Sequence, residues 1–464
     1  MVRRRMEGFL FGLMLLPLLP VLALTILPAI VRGQFPSAAL GALLRRWGRR
    51  WTHGLDDLRE LWWVSLSLEP ARNIWRYVFL LEWFETLNVR CAPAPKPSAD
   101  GKRSILVVLP GHIGDMVHAM PMLKALRRQN SDDHIGVIVG PWSSALFHGF
   151  DAVDEVIAYA PSLVQYHRGV PGQCPSVGRE IALLRALRRR GTDVLMTVPP
   201  TELPTFLLAR AIRPRRWIGV MPRPADYPLI CEEQVSGFDM RQYEADRIMQ
   251  LASTLGIVSG PCELGLDLPS SAAERARELL IRHGIESSVP IVAVAPGAGW
   301  AGKMWPVERF AELSDWIGES FGVRVILLGS PEETQTGAML ESRMRTKPVN
   351  LIGRTKLDES FAIISLCGLF VGNDGGLLHV AAARGIPTVS LFGPTRIEKW
   401  APRGLRHMAL RKVESCPDCW PWHPSARCRH DAECMKKISV ADVKQVIEAR
   451  TDQLRLRRPI MHSA

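Results

Sequence analysis

Three ionisable side chains stand in glycine-rich turns, each between an apolar run typical of a buried strand and the start of a helix. Asp115 ends the first turn, Lys303 lies in the second and Asp374 begins the third. Glycines let a backbone approach a ligand closely, and the free amides at a helix start favour an anion. A carboxylate so placed can act as a general base, and a lysine can neutralise phosphate charge. The pattern indicates an anionic ligand beyond the carboxyl ends of the strands.

The first turn covers residues 109–115, where Gly111 and Gly114 lie on either side of His112. It is not a phosphate-binding Walker loop, because no Gly-Lys-Ser/Thr follows, and it is not a full dinucleotide fingerprint. An aspartate at a helix start is more often a cap or a partner of the helix dipole than a catalyst. Taken alone, the residues leave both interpretations of Asp115 open.

The second turn covers residues 296–306 and combines open backbone amides with Lys303. Amides and one lysine together predict a cradle for phosphate. A solvated loop lysine is the competing interpretation, and the residues taken alone leave it open. The glycine-rich part of the turn consists of Gly297, Ala298 and Gly299.

The third turn begins with Asp374 and runs into a helix that carries His379 in its first turn. Asp374 could serve the ligand, or it could fix the loop by accepting amide hydrogen bonds, and the sequence does not choose. The amides expected to face a phosphate belong to Gly375, Gly376 and Leu377.

Glu332 and Glu333 follow another predicted strand, at a fourth strand-to-turn exit. Carboxylates in this position can bind ribose hydroxyls, but they are equally favourable charges at a helix start. The sequence does not show which of the two glutamates would bind a nucleotide.

These segments, in this order, resemble the motifs of glycosyltransferase family 9, the bacterial heptosyltransferase-like enzymes, over residues 104–450. The resemblance implies that Asp115 is the general base, which takes a proton from an acceptor hydroxyl. It implies that Lys303 contacts the phosphates of a nucleotide-sugar donor, and that a glutamate of the 332–333 pair binds the ribose. His118 is expected to support either packing or the acceptor site. The predicted acceptor side comprises Gly111, His112, Gly114 and His118.

Metal chemistry receives little support from the sequence. No Asp-x-Asp motif is present, so we expect a metal-independent inverting transfer without a cofactor. A structural zinc ion is a weak alternative, because a second Cys-x2-Cys pair is missing from the cysteine cluster. That cluster consists of Cys416, Cys419, Cys428 and Cys434.

The first hundred residues differ in composition from the rest. Residues 8–31 carry no charge, and six of the 14 tryptophans follow before residue 91, interleaved with arginine and leucine. Such a sequence predicts a helical, membrane-associated region over residues 1–91, either spanning the bilayer or re-entrant. A proline-rich linker over 92–103 follows, and a basic tail occupies 451–464. We expect attachment to the cytoplasmic membrane, with the catalytic part facing the cytoplasm.

From residue 104 short β-branched runs alternate with amphipathic helices, and the pattern restarts after Pro290. This predicts an α/β protein with two doubly wound, Rossmann-like domains. The family resemblance implies the GT-B architecture, with the domains facing a cleft: an acceptor domain at 104–288 and a donor domain at 289–450. It also implies that the closing helix at 440–450 packs back toward the first domain.

The most direct hypothesis is a membrane-attached glycosyltransferase that moves a sugar onto a lipid-linked or lipopolysaccharide-core acceptor. Heptose from an ADP-sugar is the donor that the resemblance favours. A nucleotide-sugar epimerase of the same architecture and a non-catalytic nucleotide-sugar sensor or scaffold are the alternatives. The net charge of +12 could attract nucleic acid, but no nucleic-acid-binding motif accompanies it, so we expect none as partner.

Overall fold

The computed structural model describes residues 102–159, 177–198, 208–209, 212–219, 233–234, 241–258, 260–286, 289–413, 428 and 431–450. The region predicted to associate with a membrane, nearly all of the linker and the basic tail lie outside these ranges. Within these ranges, no helix has both the length and the apolar content that a membrane crossing requires.

The first sheet contains, in the described part of the chain, six parallel strands in the order β3-β2-β1-β4-β5-β6. Its central strands are rich in β-branched and other apolar residues, and β1 is buried along nearly its whole length because helices cover parallel sheets on both faces. The strands are β1 (Ser104–Leu109), β2 (His134–Val139), β3 (Glu155–Ala158), β4 (Val194–Thr197), β5 (Arg216–Gly219) and β6 (Glu233–Gln234).

Three helices of eight or more residues belong to this described part of the first domain: α1 (Ile113–Gln129), α2 (Val177–Arg190) and α3 (Glu244–Ser253). Helix α1 follows β1 directly and packs against α3. Its first turn is therefore held between the end of the central strand and a second helix.

The second sheet repeats the topology of the first, with the parallel order β12-β11-β10-β7-β8-β9 among the residues that the structure describes. Both orders are the doubly wound arrangement 3-2-1-4-5-6, so the two predicted Rossmann-like domains are confirmed. The strands are β7 (Ile291–Ala295), β8 (Arg324–Leu327), β9 (Val349–Asn350), β10 (Leu369–Asn373), β11 (Thr388–Leu391) and β12 (His407–Leu410).

The remaining helices lie between the two sheets in sequence or around the second one. They are α4 (Ser270–Arg282), α5 (Val307–Phe321), α6 (Thr334–Arg343), α7 (Leu357–Leu366), α8 (Gly376–Ala383), α9 (Ile397–Trp400), α10 (Glu433–Lys436) and α11 (Val440–Ala449). Short 3-10 turns occupy Ser144–Phe147, Ala301–Lys303 and Pro331–Glu333.

The closing helix α11 is placed differently from the expectation. It packs against α5 of the second domain, and Val443 and Ile447 join the hydrophobic core of that domain. Lys444 adds an ion pair with Glu312 on α5 at 3.1 Å. The prediction that this helix returns to the first domain is wrong, because its apolar face fits the groove beside α5.

Helix α4 and helix α1 connect the two domains. Helix α4 comes before the second sheet in sequence, and it packs against α7 of the second domain. Helix α1 of the first domain packs against α8 of the second. The first turns of α1 and α8 therefore meet, and the exact domain boundary at residues 288–289 stays a prediction.

In each sheet the strand order reverses between two central strands, β1 and β4 in the first and β7 and β10 in the second. Ligands of doubly wound folds bind beyond the carboxyl ends of the strands at such a switch point. Asp115 follows β1, Lys303 follows β7 and Asp374 follows β10, so all three motifs lie where this rule expects a ligand.

Candidate active site

Asp115 occupies the third position of α1 and is held at the glycine turn. Its Oδ2 accepts a hydrogen bond from the backbone amide of His112 at 2.6 Å. A Cβ atom at Gly111 would lie 2.7 Å from Cγ of Asp115, so only glycine fits beside the carboxylate. The sequence-predicted turn is therefore built around this side chain.

The surroundings of Asp115 favour its neutral form more than water does. Burial raises the pKa of Asp115 to about 7, and the Glu244 carboxylate adds to the increase. The groups that act in the opposite direction are His379, Lys399 and Lys303. A carboxylate with a pKa near the working pH is well suited to accept and release a proton.

Lys303 and Asp374 form an ion pair that is almost closed to solvent. Nζ of Lys303 lies 2.8 Å from Oδ2 of Asp374, and the two side chains are 15% and 6% exposed. The hydroxyl of Thr395 donates to the same oxygen at 2.7 Å. The interpretation of Lys303 as a solvated loop lysine is therefore wrong.

Burial alone would raise the pKa of Asp374, but the Lys303 ammonium and the His379 ring, 3.8 Å away, lower it below its ordinary range. Asp374 is thus ionised at neutral pH. It anchors a lysine rather than backbone amides, which answers in part the question that the sequence left open.

A network around Asn373 ties the second turn to the third. The side chain of Asn373 accepts from the Trp305 amide at 3.0 Å and donates to the carbonyl of Pro296 at 2.8 Å. The buried Trp305 indole donates to the carbonyl of Ile438 at 2.8 Å. The Trp-Pro element after Lys303 is therefore a structural support that fixes the position of the lysine.

Helix α8 presents its amino terminus to the same place. It begins at Gly376, and its N-cap residue Gly375 makes no side-chain capping hydrogen bond. A Cβ atom at Gly376 would lie 2.8 Å from Cβ of Ile113, so the helix starts against the first turn of α1. Leu377 is half-buried and packs against the core. Amides in the first turn of a helix have no partner within the helix, and the prediction that those of Gly375, Gly376 and Leu377 face a phosphate stays a prediction.

Two buried histidines join the domains. Nε2 of His118 lies 3.2 Å from Nδ1 of His379, and Nε2 of His379 lies 3.8 Å from Asp374. The His118 ring also contacts Tyr243 and Trp400 edge-on, with centroid distances of 5.2 and 5.6 Å. Burial lowers the pKa of His118 well below its ordinary value, so this side chain is neutral. Its complete burial favours a packing role over contact with an acceptor.

Of the two candidate glutamates, Glu333 faces the second turn. Its Oε2 accepts from the Ser330 amide at 2.8 Å, and a Cβ atom at Gly297 would lie 2.6 Å from the same oxygen. Burial raises the pKa of Glu333 above its ordinary value. Glu332 is exposed beside it. Glu333 thus caps the turn that it belongs to, as one interpretation of the sequence expects, and its role toward a nucleotide stays a prediction.

The other predicted donor residues, Ala298 and Gly299, belong to the second turn and are at least partly exposed. Ala298 is half-buried, and Gly299 is exposed with open space where a side chain would point. Gly114 lies at the contact between the domains, because a Cβ atom there would come within 2.7 Å of the His379 ring. His112 is half-buried at the start of α1. The structure thus gathers the predicted acceptor and donor residues around two facing helix starts.

Sequence reasoning missed a set of charged side chains close to Asp115. Glu244 and Arg247 lie on α3, and Lys399 lies on α9 of the second domain. Each reads as an ordinary helix-surface charge, since Glu244 begins a helix and Lys399 belongs to no motif. The burial of these charges follows from the packing of the two domains, which the sequence does not show.

The zinc hypothesis falls largely outside the described residues, because Cys416 and Cys419 are not among them. Cys428 and Cys434 are described and partly buried. The described ranges contain no group of three or more histidine, cysteine, aspartate or glutamate side chains arranged to bind a metal.

Curated relatives of the chain are lipopolysaccharide heptosyltransferases. Lipopolysaccharide heptosyltransferase 2 of Salmonella typhimurium is 26% identical over 320 residues, which cover 67% of this chain and 88% of that protein. Lipopolysaccharide heptosyltransferase 3 of Escherichia coli K12 is 28% identical over 342 residues, covering 72% and 94%.

Solved structures of the same kind share the fold. A glycosyltransferase family 9 protein from Veillonella parvula superposes with a TM-score of 0.64 at 22% identity, covering 77% of this chain and 98% of that one. E. coli ADP-heptose lps heptosyltransferase II gives a TM-score of 0.61 at 22% identity, covering 75% and 99%. These similarities establish the GT-B arrangement of the two sheets.

The family model of glycosyltransferase family 9 (heptosyltransferase) matches residues 181–424. The match includes the turns of Lys303 and Asp374, whereas Asp115 lies before it. With the doubly wound sheets and the lysine–aspartate turn pair already described, this match settles the family. The chain belongs to glycosyltransferase family 9 and is a heptosyltransferase-type glycosyltransferase.

Proposed function

We propose that the chain transfers heptose from ADP-heptose to a hydroxyl group of a lipopolysaccharide-core acceptor, by a metal-independent reaction that inverts the anomeric centre. The observation that carries the proposal is the meeting of two helix starts. Asp115 stands at one, and the Lys303–Asp374 pair stands at the other. The names of the curated relatives support the acceptor class, and the name of the E. coli heptosyltransferase II structure supports the donor.

The donor binds in the second domain. Its diphosphate lies against the amino terminus of α8, where uncapped amides and the helix dipole favour negative charge. Lys303 supplies the balancing positive charge, and Asp374 holds that lysine in place. Glu333, beside the second turn, accepts hydrogen bonds from the ribose hydroxyls.

The acceptor hydroxyl approaches from the first domain. Asp115 takes its proton while the oxygen attacks the anomeric carbon of the heptose. The bond between that carbon and the phosphate oxygen breaks, and the electron pair leaves with ADP. Lys303 and the α8 amides stabilise the negative charge that collects on the departing diphosphate. Asp115 then releases the proton to solvent, which completes the cycle.

We further infer that the enzyme is attached to the cytoplasmic membrane through residues 1–91, with both Rossmann-like domains on the cytoplasmic side. The uncharged run at 8–31 and the tryptophan-rich segment after it support this inference. A lipid-linked acceptor would then be presented at the surface to which the enzyme is attached.

The test is acceptor-dependent release of nucleotide by the detergent-purified full chain. ADP-heptose is compared with UDP- and GDP-sugars in the presence of heptose-deficient lipopolysaccharide. Asp115→Asn keeps the shape and the hydrogen bond from His112 but removes the base, so we expect a loss of about 10²- to 10⁴-fold in kcat. Asp132→Asn, in an exposed turn of the same domain, is the matched control and should retain full activity.

Two results would contradict the proposal in different ways. Full activity in Asp115→Asn would remove Asp115 from the reaction while leaving the transferase in place. Tight binding of ADP-heptose without turnover on any acceptor would replace the transferase with the sensor or scaffold alternative.

A further inference from the structure

A buried group of charged side chains lies on α3, which packs against the helix of Asp115, and it draws on both domains. Glu244 and Arg247 of α3 are 1% and 3% exposed, and Nε of Arg247 donates to Oε2 of Glu244 at 2.8 Å. Nζ of Lys399, from α9 of the second domain, lies 3.3 Å from the same oxygen. One carboxylate of the first domain therefore binds a cation from its own helix and another from the opposite domain.

The position of Lys399 is unfavourable for a lysine without a partner. Its side chain is largely buried, and Nζ lies 4.8 Å from the centroid of the Trp400 ring, which packs against His118. Burial lowers the pKa of Lys399, and Glu244 opposes the decrease. A charge removed from water in this way is costly unless its partners compensate for the lost hydration.

We propose that Lys399 is a positioning residue for the transfer reaction: it docks on Glu244 across the domain interface and places a positive charge beside the base, Asp115. The proposal rests on the function proposed above, in which Asp115 takes the proton. Lys399 touches neither the acceptor nor the donor in this scheme, and it acts through the charge state of Asp115.

The charges of the buried group explain why Lys399 is needed as a third cation. With the histidines set aside, and among the side chains that the structure describes, ionised Asp115, Glu244 and Asp374 are matched by three cations. The cations are Arg247, Lys303 and Lys399. Without Lys399, an ionised Asp115 would leave the group with a net negative charge, and the protonated form would be favoured. The charged and titratable groups that act on Asp115 are Glu244, His379, Lys399 and Lys303. Arg247, Asp374 and His118 contact these groups in turn, and the His112 amide donates to the carboxylate itself.

The source of the cation matters as much as its charge. Lys399 reaches Glu244 only when the second domain is packed against the first, as it is here. The base is therefore most fully ionised in the same arrangement that brings the donor turn of Lys303 to the acceptor side. Open and closed forms of the enzyme would differ in the readiness of Asp115 to accept a proton.

The experiment compares the pH dependence of kcat/KM for Lys399→Met, Lys399→Arg and wild type. Methionine keeps the buried hydrocarbon and removes the charge. We expect the acid limb of the Lys399→Met profile to move to higher pH by about one unit, which makes this variant about tenfold slower below the wild-type midpoint. Lys399→Arg keeps the charge, so its profile should coincide with that of wild type.

Arg403→Met is the matched control for loss of a cation at the domain interface. Arg403 pairs with Asp246 at 2.6 Å and lies 3.9 Å from the Tyr243 ring centroid, so its contacts are with these two side chains rather than with Glu244. Its loss can weaken the packing of the domains, yet it should leave the acid limb where it is. A shift of equal size in both methionine variants would overturn the proposal.

Glu244→Gln is a second variant, for which the expected shift of the acid limb has the opposite sign. It removes a negative charge, so the acid limb should move to lower pH, which damage to the fold alone would not produce. An unmoved limb in both Lys399→Met and Glu244→Gln would refute the role of Lys399.

The protonated-carboxyl infrared band that disappears in Asp115→Asn gives a readout without turnover. If wild type fails to release ADP, the proposed function fails. The pH at which this band disappears, compared between wild type and Lys399→Met, still tests the role of Lys399.

Discussion

The ion pair between Lys303 and Asp374 predicts a large and unequal cost for removing either partner. Lys303→Met takes the ammonium away from a carboxylate that is 6% exposed. The Thr395 hydroxyl remains at 2.7 Å, and Nε2 of His379 lies 3.8 Å away. Neither replaces the lost cation fully, because a hydroxyl carries no charge and the histidine lies beyond hydrogen-bond distance.

The magnitude follows from the burial of each group. Removing one partner of a buried pair costs about 3–5 kcal/mol, and we expect about 3 kcal/mol for Lys303→Met because the hydroxyl stays. Asp374→Asn should cost less, about 1–2 kcal/mol, since a lysine that keeps 15% exposure can turn its ammonium toward water. In the double variant the two costs should not add, and a coupling of about 2 kcal/mol is expected.

The pH dependence of this contribution has a definite sign. The pKa of Asp374 is lower in the folded protein than in the unfolded chain. Its stabilisation is therefore complete above the unfolded-state pKa of about 3.9 and is lost as the pH falls from there through the folded-state pKa. The difference in stability between wild type and Asp374→Asn should be constant from neutral pH down to mildly acidic conditions.

The assay is urea unfolding of the full chain followed by circular dichroism, with hydrogen exchange of residues 369–383 to locate the change. Glu312→Gln is the control, because Glu312 pairs with Lys444 at 3.1 Å on the surface and is 58% exposed. That variant should cost less than about 1 kcal/mol. If Lys303→Met costs no more than this control, the buried pair does not form in solution and the reasoning fails.

Two glycine variants separate packing from binding. In Gly114→Ala the new Cβ atom would lie 2.7 Å from the His379 ring, which its neighbours hold on two sides, so overpacking should cost about 1–3 kcal/mol and lower the melting temperature. An unchanged melting temperature would show that the domains meet less closely than described. In Gly297→Ala the Cβ atom would lie 2.6 Å from Oε2 of Glu333 and displace that carboxylate. Calorimetry should show several-fold weaker ADP binding with little loss of stability, and unaltered affinity would argue against Glu333 as a nucleotide ligand.

Elements with a strong local pattern could be predicted from the sequence. Helix α5 is such an element, because an apolar stripe runs from Val307 to Phe321 and Gly322 follows with a positive φ of 63°. Strand β7 is equally clear, since all five of its residues are buried and apolar or small. Strand β3 is different, because its partly exposed sequence Glu155–Ala158 lacks a distinctive pattern and acquires its strand form by pairing with β2.

The residues of the candidate site also fall into some that could be predicted from the sequence and some that could not. Asp115, Lys303 and Asp374 could be found because each stands in a glycine turn after a strand, and topology places such turns together. The partners of these residues could not be found. Glu244 and Lys399 lie on separate helices of different domains, and their 3.3 Å contact depends on how the domains pack. For the same reason the burial of His118 against His379 was not foreseeable from either segment alone.

The lengths of the strands have a consequence for solubility. The long strands β1 and β10 are central, whereas β9, at one border of the second sheet, has two residues. A strand at the border of a sheet offers unpaired amides and carbonyls to any other extended chain, and a very short one offers few. Parallel sheets fold slowly, because their strands must pair across long stretches of sequence. The short border strand β9 therefore offers few unpaired backbone groups to a neighbouring chain, which limits edge-to-edge aggregation while the second domain folds.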